Sequence, residues 1–164
     1  MAYQFSPEEL TWIQAHRQAH SINKRFTGKN VARYVTEIDE FMLMNDAHTI
    51  LDYGCGKALY WPSHWLSRIQ GYDPCYEPFA GDPLPADCVV CCDVMEHVPE
   101  SAVASTLTRI TELAGCCVFF SIAVRPAGKQ LPNGHNAHRC VKPSEWWDQQ
   151  LSNLMTVPHR VHYT

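Results

Sequence analysis

This 164-residue sequence predicts an α/β fold built on a parallel sheet covered on both faces. Three observations point there. Short apolar runs of strand length alternate with helix-like segments along most of the chain. One such run, Ile50 to Tyr53, carries an acid and breaks at once into the tight turn Gly54-Cys55-Gly56. A second run ends in Asp73, at the spacing where strand–turn–helix sites place an acid on a ribose. Hydrophobic residues make up 46% of the chain and charged residues 18%, enough for a sizeable core and against extended disorder. The length fits one domain, 1–164, with a helical N-terminal segment over 1–46 and an α/β core over 47–164.

The elements follow in order. Ser6-Pro7-Glu8-Glu9 opens a helix, with serine as N-cap, proline in the first turn and glutamate at the third position, and the helix runs to about His20. A polar, basic connection leads to a second helix over about 29–44, whose Val31, Tyr34, Val35, Ile38, Phe41 and Met42 share one face. A buried strand spans 48–53, a helix about 61–66 and a second strand 67–72. Trp61 and Trp65, four apart, read as packing residues. Residues 74–86 hold four prolines and form a loop. Cys88 to Cys92 is a central strand, and Pro99-Glu100-Ser101 starts a helix that runs to about Leu113 and ends at Gly115. A long strand covers 116–124, a long loop 125–142 and a helix 143–151, with one of Trp146 and Trp147 buried and the other partly exposed. Residues 155–163 alternate as a last strand. Ligands of such sheets sit at the carboxyl ends of the strands, which singles out loops 53–58, 73–86, 93–99 and 124–142.

The bulk numbers narrow the function classes. A net charge of −4 argues against a strongly basic nucleic-acid surface. No apolar run approaches the ~20 residues of a membrane helix, and the first residues lack the pattern of a secretory signal. With no such signal, the eight cysteines read as reduced, small core residues of a cytoplasmic protein. Cys88 and Cys91 have CxxC spacing, but residues three apart on a strand face opposite sides, which argues against a zinc site there.

Asp52-Tyr53-Gly54-Cys55-Gly56, then Gly71-Tyr72-Asp73-Pro74, then Asp93-Val94-Met95-Glu96-His97-Val98 resemble the successive motifs of class I S-adenosylmethionine-dependent methyltransferases. The last segment resembles in particular the ubiquinone-biosynthesis O-methyltransferases, and residues 137–147 resemble a segment those enzymes carry before a late helix. The resemblance covers about residues 48–150. It implies a three-layer, Rossmann-like sheet and S-adenosyl-L-methionine as cofactor. Asp52, Gly54, Cys55 and Gly56 would surround its methionine part, Asp73 and Pro74 its ribose, Asp82 its adenine, and Asp93 with Val94 the methionyl or adenosyl group. The cofactor's sulfonium is positive, which suits carboxylates at strand ends. Two departures stand out. Ala58 occupies the place of a third glycine, a small loss where no pyrophosphate is bound. The 14 positions from Asp73 to Asp87, with four prolines, cannot hold the helix and strand the family has there. The expected sheet is therefore trimmed by about one strand and one helix, with its adenine side open or closed by the N-terminal helices or a second subunit.

Asp93, Glu96 and His97, with His135 and His138 some 40 residues on, also resemble the metal site of small-RNA 3′-end 2′-O-methyltransferases. Glu96, His97, His135 and His138 are therefore candidate ligands of a divalent metal, and a histidine-rich set suits Zn²⁺, Mn²⁺ or Fe²⁺ better than Mg²⁺. The alternative at Glu96 and His97 is a helix cap or a metal-free pocket wall. His97 and His138 are the candidate general bases, with Glu96 as a third catalytic candidate. The loop 125–139 supplies Arg125, Lys129, His135, Asn136 and Arg139 as candidate contacts for an anionic substrate; a solvated surface loop is the plainer reading. The expectation is methyl transfer to an oxygen or nitrogen of a small molecule or nucleotide. A metal-dependent ribose methyltransferase of nucleic acid and a catalytically inactive binding protein are the alternatives.

Overall fold

A computed structural model describes residues 3–22, 26–128 and 130–164. Lys129 and residues 23–25 of the basic connection lie outside the described residues. The elements are α1 (Pro7–Ile22), α2 (Val35–Met44), β1 (Ile50–Tyr53), β2 (Ile69–Tyr72), β3 (Ala86–Cys92), α3 (Glu100–Leu113), β4 (Ala114–Ile122), α4 (Ser144–Leu154) and β5 (His159–Tyr163). The strands form one parallel sheet in the order β2-β1-β3-β4-β5. This is a Rossmann-like α/β arrangement. The order is also that of flavodoxin-like sheets, and in either case the strand order reverses between β1 and β3, where a crevice opens at the strand ends.

The local reasons are visible in the sequence. Ser6 and Glu9 close a reciprocal capping box at the start of α1, the Glu9 amide donating to Ser6 Oγ (3.3 Å) and the Ser6 amide to Glu9 Oε2 (2.8 Å). The central strands β3 and β4 are apolar on both sides because both faces are covered there, while the edge strands β2 and β5 carry polar residues. On one face, Leu51, Val89, Cys91, Val118 and Phe120 pack under α3 and α4, with Leu107, Ile110, Trp147 and Leu151. On the other, Ile50, Cys88, Val90, Cys117 and Phe119 meet Ile38, Phe41 and Met42 of α2 together with Trp61 and Trp65. Cys88 and Cys91 thus face opposite sides of the sheet, as their spacing requires. Trp147 is fully buried and Trp146 half-buried.

Several elements differ from expectation. The helix expected over 61–66 is only a 3-10 turn, Ser63–Trp65, because Pro62 interrupts the segment and two tryptophans anchor it. The helix expected from residue 29 breaks at Tyr34: Lys29–Arg33 is a 3-10 turn and α2 follows. Gly115 does not end α3, since Ala114 already takes an extended conformation and the chain passes directly into β4. The last strand starts only at His159, immediately after Pro158. The proline-filled stretch after β2 holds a 3-10 turn, Glu77–Phe79, and no strand before Ala86.

Candidate functional site

A cavity of about 560 Å³ lies over the carboxyl ends of the strands. All four loops singled out from the sequence contribute to its wall. Two further segments complete it: α1, through Trp12, His16 and His20, an N-terminal helix of the kind offered as one way of closing the adenine side, and the strap Phe26–Val31, which the sequence did not single out.

The glycine turn works through close packing. A Cβ on Gly54 would lie 2.3 Å from a methyl of Val94, and one on Gly56 would lie 2.3 Å from the Phe26 carbonyl oxygen. Both glycines have positive φ. The turn thus receives the loop after β3 on one side and the strap on the other. Ala58 has φ 51°, the left-handed region that favours glycine, so the third glycine is missing where the backbone asks for one.

Two buried acids occupy the β1–β2 half. Asp52 accepts a hydrogen bond from Trp61 Nε1 at 2.7 Å, and burial pushes its carboxyl up to about 7. Asp73 accepts from the Gly56 amide (2.8 Å) and the Cys75 amide (2.7 Å); burial raises it to about 6 despite those bonds and the nearby Arg17. Arg17 of α1 donates two hydrogen bonds to the Pro74 carbonyl, which holds α1 across this side of the cavity. Burial raises the Cys55 thiol well above its ordinary range. Asp82, expected near an adenine, does not line the cavity; it pairs with Arg109 of α3 at 3.1 Å.

Asp93 stands at the division between the halves, with φ 55°. Its amide and carboxylate are pinned by the Ser121 carbonyl (2.8 Å) and hydroxyl (2.7 Å), and Asn30 of the strap donates to its other oxygen. A non-glycine residue held in that conformation by three partners marks a site where geometry is over-determined.

The other half carries the histidines. His97 Nδ1 lies 2.7 Å from the Ala137 carbonyl, and His138 Nδ1 2.7 Å from the Arg125 carbonyl. A carbonyl only accepts, so both rings carry hydrogen on Nδ1 and, when neutral, leave Nε2 as an acceptor. Burial, with His16 and His138 beside it, holds His97 down to about 3, so it is neutral at physiological pH. His16 of α1 bonds the Trp12 carbonyl through Nδ1 and brings Nε2 to 3.3 Å from His97 Nδ1. Glu96 is fully buried with both carboxylate oxygens unpartnered. The amides of Glu96 and Ala123 are near it without reaching hydrogen-bond geometry, and burial with Asp93 nearby raises it to about 8. One ligand-type atom from each of Glu96, His97 and His138 falls within 4.8 Å of the others. His135 is not among them; it sits exposed on the turn after Asn133.

The long loop is ordered by its own bonds. Asn136 Oδ1 accepts from the Ala127 and His138 amides, and its Nδ2 donates to the Ala127 carbonyl. The Arg139 and Cys140 amides both donate to the Glu96 carbonyl (2.7 and 2.9 Å), which carries His138 to His97. Of the four candidate substrate residues that are described, Arg125 alone lines the cavity. Asn136 is committed to the loop's backbone, His135 points outside, and Arg139 reaches Glu8 at 3.4 Å and lies over Trp12. Compared with family models, curated proteins and solved structures, the chain matches none.

Proposed function

We propose that this protein is an S-adenosylmethionine-dependent methyltransferase acting on an oxygen or nitrogen of a small molecule or nucleotide. The observation that carries the reading is the pair of buried acids, Asp52 and Asp73, beside a glycine turn at the point where strand order reverses. Burial disfavours their charged forms, and a cationic ligand would restore them. That demand fits this donor, which supplies an activated methyl group on a positive sulfonium. Asp52, Asp73 and the Gly54–Gly56 turn would hold it, with Asp93 and Val94 at the boundary to the acceptor. Much of the rate would come from alignment of the two reactants. In this reading the stretch after Asp73 is the trimmed part of the sheet, and α1 covers the side left open.

His138 is the stronger candidate base. Its Nδ1–H is fixed by the Arg125 carbonyl, so Nε2 is oriented to take a proton. A ring held down to about 3, as His97 is, retains a proton poorly. Product analysis after incubation with S-adenosylmethionine and a panel of nucleosides, nucleotides and phenols tests the reading. Formation of S-adenosylhomocysteine with a methylated acceptor is expected; methylthioadenosine as the product would overturn it.

A specific observation favours a divalent metal as a second feature of the same site. Glu96 is buried and unpartnered, beside two histidines whose Nδ1–H groups are pinned to carbonyls, the usual orientation of metal-binding imidazoles. Glu96, His97 and His138 would be its ligands, a set suited to Zn²⁺, Mn²⁺ or Fe²⁺. The metal would bring a Lewis acid close to an acceptor hydroxyl. Metal retained after desalting from Mn²⁺ or Zn²⁺, and lost in Glu96→Ala, is expected; activity unchanged under strong chelation would exclude it.

A further inference from the structure

We infer that the acceptor carries a phosphate group, bound by Lys29, Arg33 and Arg125 at the rim of the cavity; this rests on the methyltransferase reading above.

The cavity's charges are unevenly matched. Its acids are engaged, except Glu96: Asp52 with Trp61, Asp73 with two amides, Asp93 with Ser121 and Asn30, Glu9 with Ser6 and Tyr3. Its cations are not. Lys29, Arg33 and Arg125 line the same cavity, are exposed, and have no hydrogen bond or ion pair through their charged ends among the described residues. This occurs on a chain whose net charge is −4. Elsewhere its basic side chains are commonly paired, as with Arg109 to Asp82, Arg139 to Glu8, Lys142 to Glu100 and Arg160 to Glu37.

Position gives the trio its meaning. Lys29 and Arg33 stand on the 3-10 turn Lys29–Arg33, whose Asn30 bonds Asp93 at the end of β3. The turn leads into Tyr34, which packs on Phe119 of β4 and His162 of β5. Arg125 follows β4 directly, and its own carbonyl orients His138. Arg33 and Arg125 therefore belong to the β3–β5 half, away from the buried acids of the β1–β2 half, and Lys29 stands between the halves, next to Gly28, which packs on the Cys55 carbonyl. A cationic donor would be held among carboxylates, and an anion would be drawn to the opposite rim. Two guanidinium groups and an ammonium suit phosphate oxygens, since arginine can bind them in bidentate fashion. A phosphate held there would place the rest of the acceptor against His138 and Glu96. The chemistry is that of a phosphate ester, whether a free nucleoside monophosphate or the terminal nucleotide of a strand.

Binding measurements with S-adenosylhomocysteine present separate the possibilities. The probes are adenosine, adenosine 5′-monophosphate and a six-residue single-stranded oligoribonucleotide, tested on the wild-type chain and on Arg33→Ala/Arg125→Ala. A phosphorylated probe is expected to bind at least tenfold more tightly than adenosine, and the double variant to remove that advantage while S-adenosylhomocysteine affinity stays within twofold. Preference for the monophosphate assigns a free ester; preference for the oligonucleotide assigns a strand end. Equal binding of all three probes, or full phosphate preference in the double variant, overturns the inference. Absence of S-adenosylhomocysteine binding in the wild-type chain would instead sink the methyltransferase reading on which it stands.

Discussion

Single residues carry much of the site's character. Ala58 holds a left-handed backbone at φ 51°. Relief of its Cβ strain, about 1–2 kcal/mol, exceeds the extra chain entropy of glycine, about 0.5–1 kcal/mol. Ala58→Gly is therefore expected to raise stability by roughly 0.5–1 kcal/mol, read as a higher urea midpoint, where an ordinary alanine-to-glycine change would lower it. Gly56→Ala should do the opposite, because its Cβ would meet the Phe26 carbonyl at 2.3 Å. A loss of roughly 2 kcal/mol or more by the same titration is expected. In the proposed reading, Asp52 joins function to stability. Its folded carboxyl, at about 7, is raised above the ordinary 3.8, so the folded protein binds more protons than the unfolded chain between those values. Stability therefore falls as pH rises through that window, and the ionised, buried carboxylate weakens the fold above it. Asp52→Asn should leave stability unchanged near pH 3 and raise it at pH 8 by about 2 kcal/mol, read from thermal or urea unfolding, while weakening cofactor binding.

At the scale of elements, the cavity is closed by parts that do not belong to the sheet. α1 rests on the long loop through Ala15, Ala19, Leu131 and Ala137, with Trp12, Phe26 and Ala127 around them. Arg17 fixes it to Pro74, and Glu8 reaches Ser101 and Arg139. The loop's shape depends on Asn136, which bridges Ala127 and His138 with three hydrogen bonds. Asn136→Ala should therefore release His138 and lower methyl transfer by about tenfold or more with cofactor affinity within twofold, because the β1–β2 half is untouched. Equal losses in both quantities would place the loop's role in general folding instead.

At the scale of the whole molecule, the sheet was legible because its central strands β3 and β4 are apolar runs, the mark of a sheet covered on both faces, while the edge strands β2 and β5 are short and mixed in polarity. The ends of β1 and β2 were legible in the same way, which located Asp52 and Asp73, whereas Asp93 and Glu96 were picked out by the family resemblance. A cover by the N-terminal helices was only one of three options, and the residues that make it were not legible. Trp12, His16 and Phe26 reach the cavity through tertiary packing across more than 20 residues of chain, and no local pattern encodes that contact. Asn136 read as a polar loop residue able to meet substrate, since nothing local reveals that its amide is spent on Ala127 and His138. Asp82 followed a family habit, while the fold gives it Arg109.

Calorimetric titration of S-adenosylmethionine into the wild-type chain and into Asp73→Ala, at pH 8 and pH 5.5, tests the methyl-donor assignment most directly. A cation held by Asp52 and Asp73 favours their ionised forms, so affinity should be highest above pH 7 and fall as pH drops through about 7 and 6. Binding at pH 8 that weakens roughly tenfold or more at pH 5.5, and is lost in Asp73→Ala, is the predicted result. No heat at millimolar cofactor at either pH, or equal affinity in Asp73→Ala, would contradict it.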